Sequence, residues 1–161
     1  MENKVAILLG SKTDKPLIEP SLAYYEHFGI NVEVHIMSAH RNPKDVGKFA
    51  SGARDNGYSI LVGSAGMSAH LAGALKAHST LPVIGVPLAG GIEGGMDALL
   101  ATVQMPKGVP VATMAVGKAG AINAAILTAE IISLQNEKLV DKLKEFKSKY
   151  INKRVKTRKL I

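Results

Sequence analysis

The sequence predicts a three-layer α/β fold on a doubly wound parallel sheet, and two patterns carry that prediction. Short apolar runs alternate with helical stretches five times along 161 residues, the rhythm of strands joined by right-handed crossover helices. Four of these runs are almost continuously hydrophobic, as strands covered on both faces are. The second alternates, as a half-exposed edge strand does. Five strands with the second at an edge match the order 2-1-3-4-5.

Val5-Ala-Ile-Leu-Leu9 reads as the first strand, followed by a helix over 17–28. Pro16 fits a first helical turn. Pro20 cannot continue a helix begun at Lys15, so this helix starts late or is kinked. Asn31 to Met37 is the alternating strand, with Val32, Val34 and Ile36 on one face and Glu33 and His35 on the other. A helix over 43–56, a strand at Ile60–Val62, a helix over 68–78, a strand at Val83–Val86 and a helix over 94–104 follow. The last strand, Val109 to Met114, carries Pro110, so it begins after the proline or lies at the other edge. The helix over 118–134 is apolar almost all round, from Ala121 and Ile122 to Ile131 and Ile132. One sheet face cannot cover a whole cylinder. A final helix near 136–155, with the stripe Leu139, Leu143, Phe146 and Tyr150, supplies one cover, and a second subunit is expected to supply another. The chain lacks a long linker and an internal repeat, so residues 1–161 read as one domain.

The composition, 47% hydrophobic and 20% charged, is that of a folded globular chain. The absence of cysteine excludes a disulfide scaffold, a thiolate metal cluster and a Cys nucleophile, and it suits a reducing cytoplasm. With no Trp and 4% aromatics, a stacking platform for sugars or single strands is disfavoured. The start shows no signal-peptide pattern, and no apolar run reaches a membrane span. The net charge of +7 belongs to residues 136–161, which hold ten Lys/Arg against three Asp/Glu, while residues 1–135 hold ten of each sign. A basic tail can bind a polyanion, but it is more often a solvated helix face; nucleic acid is not the expected partner.

In a doubly wound sheet, ligands bind beyond the carboxyl ends of the strands where the winding reverses. Three small-residue loops reach that rim. Gly10-Ser-Lys-Thr-Asp14 opens a helix and offers free backbone N–H groups to an anion. It lacks the Gly-Lys-Ser/Thr ending of a P-loop and the spaced glycines of a dinucleotide site. A single phosphate or a sugar hydroxyl fits better, and a plain helix cap by Thr13 or Asp14 is the bland alternative. Ser38-Ala-His-Arg41 brings His40, a residue type able to give and take a proton near neutrality. It also brings Arg41, able to grip phosphate or carboxylate with two parallel bonds. Gly63-Ser-Ala-Gly66 has little bulk and lets a ligand approach the backbone, with Ser64 and Gly66 as candidate contacts. His70 just beyond reads more readily as a buried structural histidine. Gly90 to Gly95 is a flexible turn that closes over a ligand or merely connects, and Met105 belongs by default to the core. No helix carries metal-ligand spacing, and no nucleophile elbow surrounds a serine.

These motifs are recognisable together. Gly10-Ser-Lys-Thr-Asp14, Ser38-Ala-His-Arg41, Gly66 to Gly73 around Ala69-His-Leu71, Asp97-Ala-Leu-Leu100, Val103-Gln-Met-Pro106 and Gly117-Lys-Ala-Gly120 with Asn123-Ala-Ala125 occur in that order. The chain resembles the PurE family in its N5-carboxyaminoimidazole ribonucleotide mutase class. The resemblance implies a flavodoxin-like subunit, a homo-octamer, and isomerisation of that ribonucleotide to its 4-carboxy isomer in purine synthesis without metal or organic cofactor. It implies His40 as the catalytic residue, Ser11, Asp14 and Arg41 as substrate contacts, and His70 near the substrate; Gly10, Ser38, Ser64 and Gly66 of the same rim loops are the further candidate contacts. The third loop departs from the class pattern at Ser64, Met67, Ser68 and Ala72. Direct carboxylation of aminoimidazole ribonucleotide by CO2 therefore stays open as the alternative, with a polyanion-binding module as a distant one.

Overall fold

The computed structural model describes the backbone of residues 4–158 and the side chains of residues 4–149. Five parallel strands, β1 (Lys4–Leu9), β2 (Asn31–Ile36), β3 (Tyr58–Ala65), β4 (Val83–Pro87) and β5 (Ala112–Thr113), lie in the order β2-β1-β3-β4-β5. This is the predicted doubly wound, flavodoxin-like arrangement. The central strand β1 shows why its sequence is continuously apolar. Val5, Ile7 and Leu9 face one core while Ala6 and Leu8 face the other, and all five are at most 1% exposed.

The first core lies under α1 (Lys15–Phe28) and α5 (Lys118–Ser133), with α6 (Glu137–Arg158) outside them. The second lies under α2 (Pro43–Gly52) and α3 (Leu71–His78), beside α4 (Met96–Val103), which packs on β4. The cover expected for α5 is thus partly intrachain: α1 and α6 flank it, and Leu139 and Leu143 join its core. Phe146 meets the rings of Tyr24, His27 and Phe28. The side chain of Tyr150, expected in the same stripe, and those of the basic tail beyond it lie outside the described residues. Among the described part of α6, Lys144 pairs with Asp141 at 3.4 Å, Lys147 with Glu130 at 3.0 Å, and Lys149 with Glu145.

Several boundaries differ from expectation. A 3-10 turn, Lys12–Asp14, precedes α1, which begins at Lys15 and runs through Pro20. The late-start alternative is therefore excluded. Pro16 and Pro20 are both exposed, so the carbonyl that loses its helical donor faces water. Helix α2 ends at Gly52, earlier than expected, because Ala53 to Gly57 form the turns that enter β3. Strand β5 is only two residues long and starts after Pro110, at the edge. On β2, Val34 is 41% and Ile36 is 46% exposed; of the three residues expected on the covered face, only Val32 packs on the core. Its other face holds a polar cluster. Lys4 reaches Glu33 at 2.9 Å, and the Tyr58 hydroxyl donates to Glu33. Those two partners, Tyr58 first, hold the Glu33 carboxyl below its usual range. Among the described residues, no helix is long and apolar enough to cross a membrane.

Candidate active site

The loops after β1, β2 and β3 meet at the carboxyl end of the sheet and enclose a cavity of about 730 Å³. Its size is that of a pocket for a small organic ligand. Each loop is held by its own short-range bonds, which explains the run of small and hydroxylated residues.

In the first loop, Ser11 N–H donates to Asp14 Oδ2 at 3.0 Å, and Thr13 N–H donates to Ser11 Oγ at 3.3 Å. Of the two expected caps only Asp14 accepts a backbone N–H, the second acceptor being Ser11 and not Thr13; Ser11, Thr13 and Asp14 also line the cavity. Burial raises the Asp14 carboxyl above its usual range, against the opposing pull of the Ser11 N–H and the nearby Arg41 charge. In the second loop, Ser38 N–H donates to Asn42 Oδ1 at 3.2 Å, and Arg41 N–H donates to Ser38 Oγ at 3.3 Å. The Asn42 side chain is engaged there, and Pro43 then opens α2 without needing a donor. The Arg41 guanidinium donates to the Gly10 carbonyl at 3.0 Å, which pins it between the first two loops with further N–H groups free to act on an anion.

The third loop closes the wall. Gly10 N–H donates to the Ser64 carbonyl at 3.2 Å, and Leu88 N–H donates to the Ala65 carbonyl at 2.9 Å. The chain then turns through Met67, with Ala69 N–H donating to Met67 O at 2.9 Å and His70 N–H to Ser68 O at 2.8 Å. His70 is the residue at the head of α3. Helix α3 approaches β3 closely because residue 63 is glycine: a Cβ there would lie 2.8 Å from Ala72 Cα.

This packing sets His70 against His40. Their rings meet edge to face at 4.9 Å between centroids, with His40 Nε2 2.8 Å from His70 Nδ1. One nitrogen donates and the other accepts, so a single proton bridges the pair. The reading of His70 as a buried structural residue is thereby corrected; it is exposed and lines the cavity with His40. A second correction concerns Ser64. It shares a face of β3 with Ile60 and Val62, and its side chain is fully buried with an unpartnered Oγ. It does not line the cavity, so its part in the site is its carbonyl, which holds Gly10. The other expected residues, Gly10, Ser11, Asp14, Ser38, His40, Arg41, Gly66 and His70, all line it.

Met67 and Ala89 line it as well without having been among the expected contacts, and so do Gly90 and Gly91, from the turn expected either to close over a ligand or merely to connect. The signal for the last two is the glycine run Gly90 to Gly95. Gly90, Gly91, Gly94 and Gly95 all have positive φ, as does Glu93 among them. Asp97 steadies this turn by accepting Ile92 N–H at 3.1 Å. Met105 sits against Gly73, away from the cavity. Among the described residues, no three His, Cys, Asp or Glu side chains gather as metal ligands would.

The chain matches the family model described as AIR carboxylase over residues 4–153. It is 41% identical to the N5-carboxyaminoimidazole ribonucleotide mutase of Vibrio parahaemolyticus, over 90% of each chain. It is 42% identical to the mutase of the same name from Brucella melitensis, over 91% of each. It also superposes on the crystal structure of Treponema denticola PurE with a TM-score of 0.86, at 25% identity and covering 98% of each chain. A family match over residues 4–153 and relatives at about 40% identity over nine-tenths of the chain establish that this chain belongs to the AIR carboxylase family, the PurE proteins.

Proposed function

We propose that this chain is an N5-carboxyaminoimidazole ribonucleotide mutase, moving a carboxylate from the exocyclic nitrogen to the adjacent ring carbon. The observation that carries the reading is the His40–His70 pair, 2.8 Å apart, on the wall of a cavity that Asp14 and Arg41 also line. The relatives at about 40% identity that bear this name support it.

Each residue has a part that its chemistry suits. Arg41 and the N–H groups of the first loop hold the ribosyl phosphate. Asp14 accepts hydrogen bonds from ribose hydroxyls. The carbamate C–N bond breaks with its electron pair left on nitrogen, which takes a proton from His40, and CO2 is released. The electron-rich ring carbon attacks that CO2, and its own proton returns to His40. One proton enters and one leaves, so the histidine ends as it began. His70 orients the His40 ring by sharing the bridging proton. Keeping CO2 in a small chamber avoids a bimolecular recapture.

The same reading places the enzyme in the cytoplasm, treats residues 1–161 as one domain, and assembles it as a homo-octamer. The exposed apolar residues Ile92, Met96, Leu100 and Val103 around α4 support assembly, and light scattering measures it. The deciding assay offers purified protein either the N5-carboxylated ribonucleotide or aminoimidazole ribonucleotide with CO2. Efficient turnover of the first at trace CO2 is expected. Turnover only with the second would replace the mutase reading by direct carboxylation.

A further inference from the structure

Met67 occupies a backbone conformation that disfavours most side chains, with φ at 55°. The turn it makes is built by backbone groups, since Ala69 N–H bonds to Met67 O and His70 N–H to Ser68 O. Glycine would make the same turn without strain. Nor is the side chain held by the core: Met67 is 66% exposed, although it is apolar. It lines the cavity that holds the His40–His70 pair. The other apolar walls there, Ala39, Ala65, Leu71 and Ala89, are short or, for Leu71, buried at 1% exposure. A strained backbone and an exposed thioether chain at a pocket mouth point to a use for the side chain itself.

We propose that Met67 is the cover that retains the one-carbon fragment, its flexible side chain closing over the cavity mouth while CO2 is free. This rests on the mutase reading. CO2 is small, apolar and without net charge, so it is held by closure and not by a strong polar grip. Methionine suits the task because its unbranched chain folds over an irregular gap without moving the backbone. The cover takes no part in bond making. The carbamate C–N bond breaks, nitrogen gains a proton, the new C–C bond forms and the ring carbon loses a proton, with His40 handling both protons. If CO2 escapes after the first half, aminoimidazole ribonucleotide is left behind. Leakage is therefore directly visible.

The experiment is a single turnover with enzyme in excess over substrate. The substrate carries ¹³C in its carboxylate, and the buffer contains unlabelled bicarbonate. Wild type and Met67→Leu are expected to keep most of the label in the 4-carboxy product. Met67→Gly opens the mouth, and Met67→Gln keeps the length but admits water; both are expected to release aminoimidazole ribonucleotide and lose label at least about fivefold more often. Circular dichroism establishes that each variant is folded, and Met67→Gly, which relieves strain, is expected to be. Label retention by Met67→Gly equal to wild type overturns the inference alone, as does equal leakage from Met67→Leu and Met67→Gly. A wild-type enzyme that forms no 4-carboxy product overturns the mutase reading and this inference with it.

Discussion

Gly63→Ala tests how far the His40–His70 geometry depends on the fit of α3 against β3. A Cβ on residue 63 would stand 2.8 Å from Ala72 Cα and 2.9 Å from Ala72 N. Both are backbone atoms, so no side chain can swing aside. The first turn of α3 must retreat by about 0.6 Å to restore ordinary contact. His70 lies two residues before Ala72, and the same retreat along the line to His40 stretches their 2.8 Å contact to the limit of a hydrogen bond. Overpacking of this kind costs about 1–3 kcal/mol, which lowers Tm by roughly 2–12 °C for a chain of this length. Turnover falls by about tenfold or more, with KM less affected. Gly47→Ala is the matched control. Gly47 lies within α2, and the atoms nearest its added Cβ are those of the His78 ring, at an ordinary 3.4–3.5 Å; the change is expected to stabilise by about 0.4–1 kcal/mol. Thermal melts and steady-state turnover on both variants decide the matter. A Gly63→Ala protein that melts and turns over like wild type refutes the argument, and so does an equal loss from Gly47→Ala.

His40→Asn removes the proton carrier while keeping a polar side chain of similar reach. Turnover should fall by about 10²–10⁴-fold with substrate affinity largely kept, measured by rapid quench alongside calorimetric binding. Arg41→Lys exchanges a forked grip for a point charge and loosens the bond to the Gly10 carbonyl; KM should rise roughly tenfold, and an unchanged KM counts against the phosphate role. Burial sets Asp14 above the usual carboxylate range, so as pH falls it protonates earlier than a free aspartate and loses its power to accept from ribose. KM should then climb on the acid side, and Asp14→Asn should lack that climb. The raised value also means that ionised Asp14 opposes folding at neutral pH, so Asp14→Asn should melt no lower than wild type.

The layered fold is legible in the chain because burial leaves its mark locally. A strand buried on both faces, such as β1, has to be apolar at every position; β2 alternates in sequence as an edge strand does, although Val34 and Ile36 of its apolar face stay exposed. The rim loops are legible for a related reason: ligand-facing backbone at strand ends demands glycine, serine and alanine, and the doubly wound order places those ends together. Pro20 and Ser64 show where the local signal fails. A proline inside a helix is tolerated when the carbonyl it strands faces water, and a serine on a rim strand points inward when strand parity turns it there. Both depend on where neighbouring layers lie. The His40–His70 pair depends on them most. These residues are thirty positions apart, and each in isolation reads as an ordinary surface or core histidine. They meet because Gly63 lets α3 settle onto β3 and because the Asn42–Ser38 bonds hold the second loop in place. Distances of a few tenths of an ångström between separate loops are set by packing, and packing is decided only when all the layers are assembled.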